Sequence, residues 1–419
     1  MKKIALLFPG QGSQYVGMAK SLCESFKDAK ETFEEASNAL GFDIEKLCID
    51  GSIEELTKTE NTQPAILVAS VAAYRVYMRE IGIEPTVAAG HSLGEFSALC
   101  CAGAISFADA VRIVRQRGKF MQGAVPVGVG GMAAISGVSQ NLIEAECVKA
   151  SISGKLVAIS NYNSPEQIVI SGNIEAVNKV GESLKALGAR VIPLKVSAPF
   201  HSSLMQPAAD KLQEELKKYS YGELKYSVIA NVTAQPYPDK ASIIEYLTKQ
   251  IIHPVRWQSS MDYVQKLGVD LAVELGPQMV LRNLMKKNAP NLITYSFDYE
   301  PDVQALKRQV NTSEQGVSKG MEVITQCIAI SVCTKNSNWN DQEYQKGVVD
   351  PYRKIKKMKE EIEKESRQPS IDEVRQALDM LKSVFITKKT PKEVQVQRFN
   401  EIFEKSDIGQ LFPSFEIPS

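Results

Sequence analysis

Short apolar runs alternate with amphipathic stretches along the first 125 residues of the chain. The runs at residues 4–8 and 86–89 predict short strands buried within a sheet. The stretches at 61–79 and 106–122 predict helices, because their apolar residues recur at helical spacing. Strands that alternate with helices are typical of βα units and therefore predict a parallel sheet.

A separate pattern occupies residues 126–198. It predicts a strand, a helix, two strands, a helix and a strand, at residues 131–135, 140–150, 157–161, 167–171, 173–187 and 189–194. This β-α-β-β-α-β order is that of a ferredoxin-like subdomain. Because it interrupts the α/β pattern, it predicts a discontinuous body of residues 1–125 and 199–310, with further strands at 228–231 and 271–277. Ligands commonly bind in the cleft between two such parts.

Beyond residue 310 the chain becomes rich in Lys, Glu and Gln, and its pattern is mostly helical. Ser370 with Glu373, and Thr390 with Glu393, have the spacing of capping boxes, in which the first side chain binds the backbone of the following helix. Residues 311–419 are therefore predicted to form a helical C-terminal extension.

Composition and charge narrow the function classes. Lys and Arg number 49, as do Asp and Glu, so no strong net field favours binding to nucleic acid or to a membrane surface. No apolar run is long enough to span a bilayer, and the first one breaks at Pro9, too early for a secretory signal. Seven cysteines without C-x-x-C spacing fit a reducing compartment and predict no metal site. At 419 residues the chain is expected to be a cytoplasmic protein with more than one structural unit.

The pentapeptide Gly90-His91-Ser92-Leu93-Gly94 lies between the predicted strand at 86–89 and a predicted helix start at Glu95. Strand, Gly-x-Ser-x-Gly and helix form the nucleophile elbow of enzymes that pass through an acyl-serine. The glycines permit a tight turn that exposes the serine, and the helix N-terminus stabilises negative charge beside it. The pattern predicts Ser92 as a nucleophile, against the alternative of a glycine-rich turn with a solvent-facing serine.

A nucleophilic serine needs a base, and the chain has only three histidines. His91 is adjacent to Ser92 in sequence, so its side chain is expected to diverge from the serine. His201 follows a predicted strand and lies in a loop, where functional groups are often found. His253 is the alternative base.

The predicted helix at 106–122 carries an arginine on its apolar face. Ala110, Val114, Arg117 and Met121 recur at spacings that place them on one side of the helix. A buried arginine requires an anionic partner. That partner is either a carboxylate of the protein or a carboxylate of the substrate, which Arg binds through two parallel hydrogen bonds.

Several motifs taken together resemble a known family. In order, they are Leu7-Phe8-Pro9-Gly10-Gln11-Gly12-Ser13-Gln14, Thr62-Gln63-Pro64-Ala65, Gly90-His91-Ser92-Leu93-Gly94-Glu95, Arg117, Ala198-Pro199-Phe200-His201 and Glu274-Leu275-Gly276-Pro277. This set is similar to malonyl-CoA:acyl-carrier-protein transacylases, the acyltransferases of fatty-acid and polyketide synthesis. The resemblance covers roughly residues 1–310. The expected fold is α/β: a parallel-sheet, α/β-hydrolase-like body with an inserted ferredoxin-like subdomain, followed by the helical extension.

The resemblance implies a role for each matching residue. Ser92 would be the nucleophile and His201 its base, with the carbonyl of Gln250 orienting the histidine. The backbone N–H groups of Gln11 and Leu93 would form the oxyanion hole.

The resemblance also implies a substrate pocket and two partners. Arg117 would bind the free carboxylate of a malonyl group, and Gln63 and Met121 would line the same pocket. Phe200 matches malonyl-selective members, in which a bulky ring leaves little room for an α-methyl group. Malonyl-CoA would be the donor and the phosphopantetheine thiol of an acyl carrier protein the acceptor, in ping-pong transfer with no metal or redox cofactor.

Two other classes of protein fit part of the pattern. A thioesterase of the α/β-hydrolase type shares the elbow but needs an acid after the serine, and Asp109, the only aspartate between Ser92 and His201, lies at the start of the next helix. A non-catalytic module that docks carrier proteins is disfavoured because Ser92, His201, Gln250 and Arg117 are all present.

The extension at 311–419 is not part of the minimal family pattern, and it leaves the biological setting open. One setting is fatty-acid synthesis, and the other is loading of a modular polyketide synthase in trans. The extension either selects a carrier protein or synthase partner, or it is a helical addition that packs on the body or holds a dimer.

Overall fold

The computed structural model describes residues 2–126, 128–151, 155–194, 196, 198–365, 367–406, 408, 412 and 415, with the backbone alone for 311–318. The chain divides into two compact units, Met1–Gln304 and Ala305–Ser419. The strands are β1 (Ile4–Phe8), β2 (Val87–Gly90), β3 (Gly130–Ser136), β4 (Val157–Ser164), β5 (Gln167–Asn173), β6 (Arg190–Pro193), β7 (Ser227–Ile229), β8 (Leu271–Glu274) and β9 (Ile293–Ser296).

Helices surround both sheets of the first unit and make up the second. They are α1 (Lys20–Ser25), α2 (Lys27–Leu40), α3 (Ile44–Asp50), α4 (Ile53–Thr57), α5 (Thr59–Glu80), α6 (Gly94–Cys101), α7 (Phe107–Gln122), α8 (Gln140–Ser151), α9 (Ile174–Ala186), α10 (Gln206–Leu216), α11 (Ser242–Gln250), α12 (Trp257–Lys266), α13 (Val280–Asn288), α14 (Glu300–Ser318), α15 (Gly320–Cys333), α16 (Asp341–Tyr344), α17 (Asp350–Lys364), α18 (Ile371–Thr387) and α19 (Lys392–Ser406). A 3-10 turn at Ser203–Met205 and a π-helical segment at Gln345–Val349 complete the set.

The first unit is built on a five-stranded sheet in the order β7-β2-β1-β8-β9, with every neighbouring pair parallel. All residues of β1 and β2 are buried, because one face of the sheet packs on α12 and α13 and the elbow helix α6 packs against β1 and β2. The α/β class and the parallel sheet are confirmed. Parallel strands end at a common edge, so the loops after β1, β2 and β7 are brought together there.

Residues 130–193 form a second, antiparallel sheet in the order β4-β5-β3-β6. Each of its six predicted elements is present, with α8 and α9 packed on the apolar side of the sheet. Two backbone hydrogen bonds join this sheet to the body: Tyr162 N–H donates to the carbonyl of Val255, and Val255 N–H to that of Ser160, both at 2.9 Å. The sheet is thereby held close to the segment that precedes α12.

The capping predictions had different outcomes. Ser370 and Glu373 form the predicted capping box at the start of α18. The prediction for Thr390 was wrong: its buried hydroxyl has no hydrogen-bond partner among the residues that the structure describes. The reason is register, since Val394 and Gln395 both donate to the carbonyl of Pro391, which makes Pro391 the capping position.

The second unit has its own hydrophobic core. Its fully buried members are Val323, Ile324 and Cys327 of α15, Ile362 of α17, Ala377, Leu378, Leu381, Val384 and Phe385 of α18, Phe399 and Ile402 of α19, and Ile408. Helix α14 runs through both the predicted boundary at residue 310 and the division at Gln304. No helix among the described residues is long and apolar enough to cross a membrane.

Candidate active site

The predicted elbow is present between β2 and α6. Ser92 has a φ of 51°, in the left-handed region that a non-glycine residue rarely adopts. The flanking glycines are required for space, since a Cβ on Gly90 would overlap the backbone of Gly94, and one on Gly94 the carbonyl of Phe8. Such strain persists only where surrounding contacts hold the backbone, and it is concentrated at functional sites.

His201 is the histidine that meets Ser92. Its Nε2 lies 2.8 Å from Ser92 Oγ, and its Nδ1 lies 2.7 Å from the backbone carbonyl of Gln250. Because a carbonyl only accepts, Nδ1 carries the proton, which leaves Nε2 free to accept from the serine hydroxyl. Burial, together with the nearby charge of Arg117, lowers the pKa of His201 to about 3, so the ring is neutral at neutral pH.

The other two histidines point elsewhere. His91 Nε2 lies 2.8 Å from Oδ1 of Asn163 on β4, and its ring lies 5.5 Å from that of Trp257. His253 is exposed, with Nδ1 2.9 Å from the carbonyl of Lys249. His201 is therefore the histidine placed to accept a proton from Ser92.

Arg117 lies beside the same serine and is 1% exposed. Its Nη2 donates to Ser92 Oγ at 3.2 Å and to Gln250 Oε1 at 2.8 Å, and its Nη1 donates to Gln63 Oε1 at 2.7 Å. No carboxylate lies within ion-pair distance among the described residues, and the Nε–H has no acceptor there. Burial lowers the pKa of Arg117 to about 9, so the side chain stays charged at neutral pH. Of the two partners predicted for this arginine, a directly paired protein carboxylate is ruled out in the described part of the chain.

The remaining predicted residues are near Ser92, His201 and Arg117 in the fold or in the sequence. Gln63 also donates to Met121 Sδ at 3.5 Å, and both side chains are buried. Phe200 is buried directly before His201, which itself has a φ of 57°. The backbone N–H groups of Gln11 and Leu93 donate to no acceptor within the described residues. Two free amide donors thus come from the loops that follow β1 and β2.

Sequence reasoning missed three residues of this site: Asn231, Glu95 and Tyr237. Asn231 Oδ1 accepts from Ser92 N–H at 2.8 Å, and its Nδ2 donates to the carbonyl of Gly90 at 2.7 Å. A polar residue at the end of a predicted parallel strand was a usable signal for Asn231, because ligand sites form at that edge. A glutamate directly before the mostly apolar segment 96–101 was a signal for Glu95. Nothing in the local sequence pointed to Tyr237.

Comparisons with known proteins show which family this chain belongs to. The family described as the acyl transferase domain matches residues 5–305. A malonyl CoA-acyl carrier protein transacylase of Escherichia coli K12 is 47% identical over 306 residues, which is 73% of this chain and 98% of that protein. A protein of the same name from Bacillus subtilis is 40% identical over 397 residues, 95% of this chain and 99% of that protein.

Solved structures match the same part of the chain. The malonyl CoA-acyl carrier protein transacylase of Coxiella burnetii is 41% identical, with a TM-score of 0.71 over 73% of this chain and 98% of its own. A malonyl-transacylase in complex with its type II PKS acyl-carrier protein is 42% identical, with a TM-score of 0.71 over 73% and 99%. The Bacillus subtilis match therefore extends through most of the second unit, whereas these structures match about three quarters of the chain.

Proposed function

The chain belongs to the malonyl CoA-acyl carrier protein transacylase family of acyl transferases, and from this premise we propose that it transfers a malonyl group from malonyl-CoA to the phosphopantetheine thiol of an acyl carrier protein. One observation carries the proposal: Ser92 Oγ lies 2.8 Å from His201 Nε2 and 3.2 Å from Arg117 Nη2. A base, and a cation that has no carboxylate partner among the described residues, therefore meet at one hydroxyl. An acyl group that ends in a carboxylate would be held by the cation while its thioester carbonyl faces the serine.

In the first half-reaction, Ser92 Oγ attacks the thioester carbonyl of malonyl-CoA and its proton passes to His201 Nε2. The backbone N–H groups of Gln11 and Leu93 stabilise the negative charge that develops on the carbonyl oxygen. The C–S bond then breaks, and the coenzyme A thiolate takes the proton from His201. The product is a malonyl ester of Ser92.

In the second half-reaction, the carrier thiol gives its proton to His201 and attacks the ester carbonyl. The same two N–H groups stabilise the second tetrahedral intermediate. Ser92 leaves with the proton from His201, which restores the enzyme and completes a ping-pong cycle. The neutral ring of His201 supports its use as the base in both halves.

Selection for malonyl is assigned to the pocket around Arg117. Gln63 fixes Nη1 of this arginine, and Met121 packs beside Gln63. When an acetyl group is bound, the buried guanidinium lacks its carboxylate, which disfavours acetyl transfer. The ring of Phe200, buried next to His201, is proposed to exclude α-methyl groups.

The competing enzyme class is disfavoured by the partner of His201. A hydrolase triad places a carboxylate on Nδ1 of the histidine, whereas here that atom bonds to the backbone carbonyl of Gln250. A purely docking role is disfavoured because base, nucleophile and arginine are assembled at hydrogen-bond distances.

The finer organisation of the chain is part of the proposal. Residues 1–125 and 199–310 would form an α/β-hydrolase-like body, which the elbow after β2 supports. Residues 126–198 would be a ferredoxin-like subdomain, which the element order β3-α8-β4-β5-α9-β6 and the sheet order β4-β5-β3-β6 support. Residues 311–419 would be the extension. A cytoplasmic location is supported by the seven cysteines, all of which are free thiols.

The intact mass of the protein after brief exposure to three acyl-CoA donors tests the proposal. Malonyl-CoA is expected to add one malonyl group, whereas acetyl-CoA and methylmalonyl-CoA add little, and Ser92→Ala takes up none. An adduct that persists in Ser92→Ala would place the nucleophile elsewhere. Equal labelling by malonyl-CoA and acetyl-CoA would remove the role given to Arg117.

A further inference from the structure

Glu95 lies beneath the nucleophile and is completely buried, three residues after Ser92 in the first turn of α6. Its Oε1 accepts from the hydroxyl of Tyr237. Its Oε2 accepts from Gln250 Nε2 at 2.7 Å and from the backbone N–H of Asn231 at 3.1 Å. Burying a carboxylate costs free energy unless its oxygens accept hydrogen bonds, so a buried glutamate at this position suggests a functional role.

The two amide residues bound by Glu95 also hold the backbone of the nucleophile. Gln250 Nε2 donates to the carbonyl of Ser92 at 2.9 Å, and Asn231 Oδ1 accepts from the N–H of Ser92 at 2.8 Å. The carboxylate is therefore linked, through one residue on each side, to both backbone groups of Ser92. These contacts support the left-handed φ of the serine.

Glu95 also determines the orientation of the side-chain amide of Gln250. Both hydrogens of Gln250 Nε2 have acceptors, one on Glu95 and one on Ser92. With the nitrogen held there, Oε1 must point the other way, where it accepts from Arg117 Nη2 at 2.8 Å. The opposite orientation would set an NH2 group against the guanidinium donors and leave the arginine unsupported.

We propose that Glu95, backed by the Tyr237 hydroxyl, is a positioning residue that fixes the Gln250 amide and thereby sets Arg117 for the malonyl carboxylate. The inference rests on the function proposed above, because it names what prepares that site for its substrate. Glu95 acts through Gln250 and forms no direct ion pair with Arg117 in the described residues. The Nε–H of Arg117 has no acceptor in the part of the chain that the structure describes.

Two substitutions at Glu95 separate its acceptor atoms from its charge. Glu95→Gln keeps a carbonyl that can accept from Gln250 and removes the charge. Glu95→Met keeps the size and removes the acceptor. Glu274→Gln is the matched control, since Glu274 is also completely buried but accepts from the N–H groups of Leu281 and Arg282 at the start of α13.

Each full-length variant is compared with the wild type in three measurements. The first is the rate of malonyl-serine formation against malonyl-CoA concentration, which gives a maximal rate and a half-saturating concentration, written here as KM. The others are the rate at which phenylmethylsulfonyl fluoride modifies Ser92, and the melting temperature. The sulfonyl fluoride has no carboxylate, so its reaction with Ser92 does not depend on the pairing of Arg117 with a substrate carboxylate. Burial raises the pKa of Glu95 to about 7, so assays at about pH 8 keep the wild-type carboxylate ionised.

For Glu95→Met we expect KM for malonyl-CoA to rise about tenfold while sulfonylation changes less than about threefold, because Asn231 still holds the serine backbone. Glu95→Gln should keep KM within about threefold of the wild type, and Glu274→Gln should leave KM unchanged and alter only the melting temperature. If Glu95→Met is unfolded, Tyr237→Phe serves in its place, with KM raised about threefold and sulfonylation unchanged.

Three outcomes would overturn the inference: an unchanged KM in Glu95→Met (or in Tyr237→Phe, where that variant replaces it), parallel losses of malonylation and sulfonylation, or a Glu95→Gln variant as impaired as Glu95→Met. A wild-type protein that takes no malonyl group on Ser92 would instead overturn the proposed function, and this inference with it. The two failures are thus distinguished by which protein shows them.

Discussion

A buried cationic side chain in each unit is satisfied in a different way. In Met1–Gln304, Arg117 donates to the side chains of Gln63 and Gln250. In Ala305–Ser419, Lys388 donates from Nζ to the carbonyls of Ser331 and Thr334 and so closes the end of helix α15. Networks of buried side chains are costly to assemble, whereas capping of helix carbonyls is an ordinary means of stabilising a fold. The difference supports placing the proposed chemistry in the first unit.

The largest expected effect comes from the cation of the first unit. Arg117→Ala should lower kcat/KM for acylation by malonyl-CoA about 100-fold, because the substrate carboxylate loses a buried, charged hydrogen-bond partner. Acetyl-CoA, which has no such carboxylate, should be affected far less. Rapid-quench measurement of the acyl-serine with both donors checks this.

The matched control is Arg115→Ala on the same helix, since Arg115 donates to Asn61 and lies over the ring of Phe42, away from Ser92. It should leave both donors nearly unaffected. A loss shared equally by malonyl and acetyl transfer in Arg117→Ala would mean that the arginine supports the serine itself and has no part in substrate choice.

Features of the first unit that depend on local sequence could be predicted, whereas those that depend on tertiary packing could not. The strands and helices of the first unit follow apolar periodicity, which is local, and the elbow follows from the glycines around Ser92. Arg117 was identified because it interrupts an apolar helix face. The hydrogen bonds from Glu95 through Gln250 to Arg117 could not be predicted from the sequence, because each joins residues more than 130 positions apart and depends on tertiary packing. The left-handed φ of His201 is likewise a consequence of that packing.

A second prediction perturbs the helical unit and should leave the chemistry intact. Phe399 is completely buried, with its ring centroid 5.6 Å from that of Phe385 and 5.2 Å from that of Phe415. Phe399→Ala should lower the free energy of unfolding of this unit by about 3–5 kcal/mol, through lost contacts and the cavity left behind. Differential scanning calorimetry measures this loss, and formation of the malonyl-serine should not change.

Ile386→Ala is the control for that experiment, because Ile386 is 60% exposed and its truncation should change stability by less than about 0.5 kcal/mol. A fall in malonyl-serine formation that tracked the melting of Phe399→Ala would break the comparison. It would show that the chemistry of the first unit depends on the folded state of the second.

The smallest expected effect on acylation comes from removing the extension altogether. A chain that ends at Val310 should form the malonyl-serine within about threefold of the full-length rate. The acyl transferase family matches residues 5–305, and the match to a solved relative covers 73% of this chain but 98% of that relative's own chain.

The second half-reaction is where the extension is proposed to act. Transfer from Ser92 to several carrier proteins, measured with the truncated and full-length chains, separates selection from packing. If the extension selects a partner, truncation slows transfer to one carrier and spares the others; equal rates on every carrier would leave it a structural addition. The Bacillus subtilis relative, which matches this chain through 397 residues under the same name as the shorter relatives, is the comparison for the choice of carriers, because a shared extension predicts a shared preference.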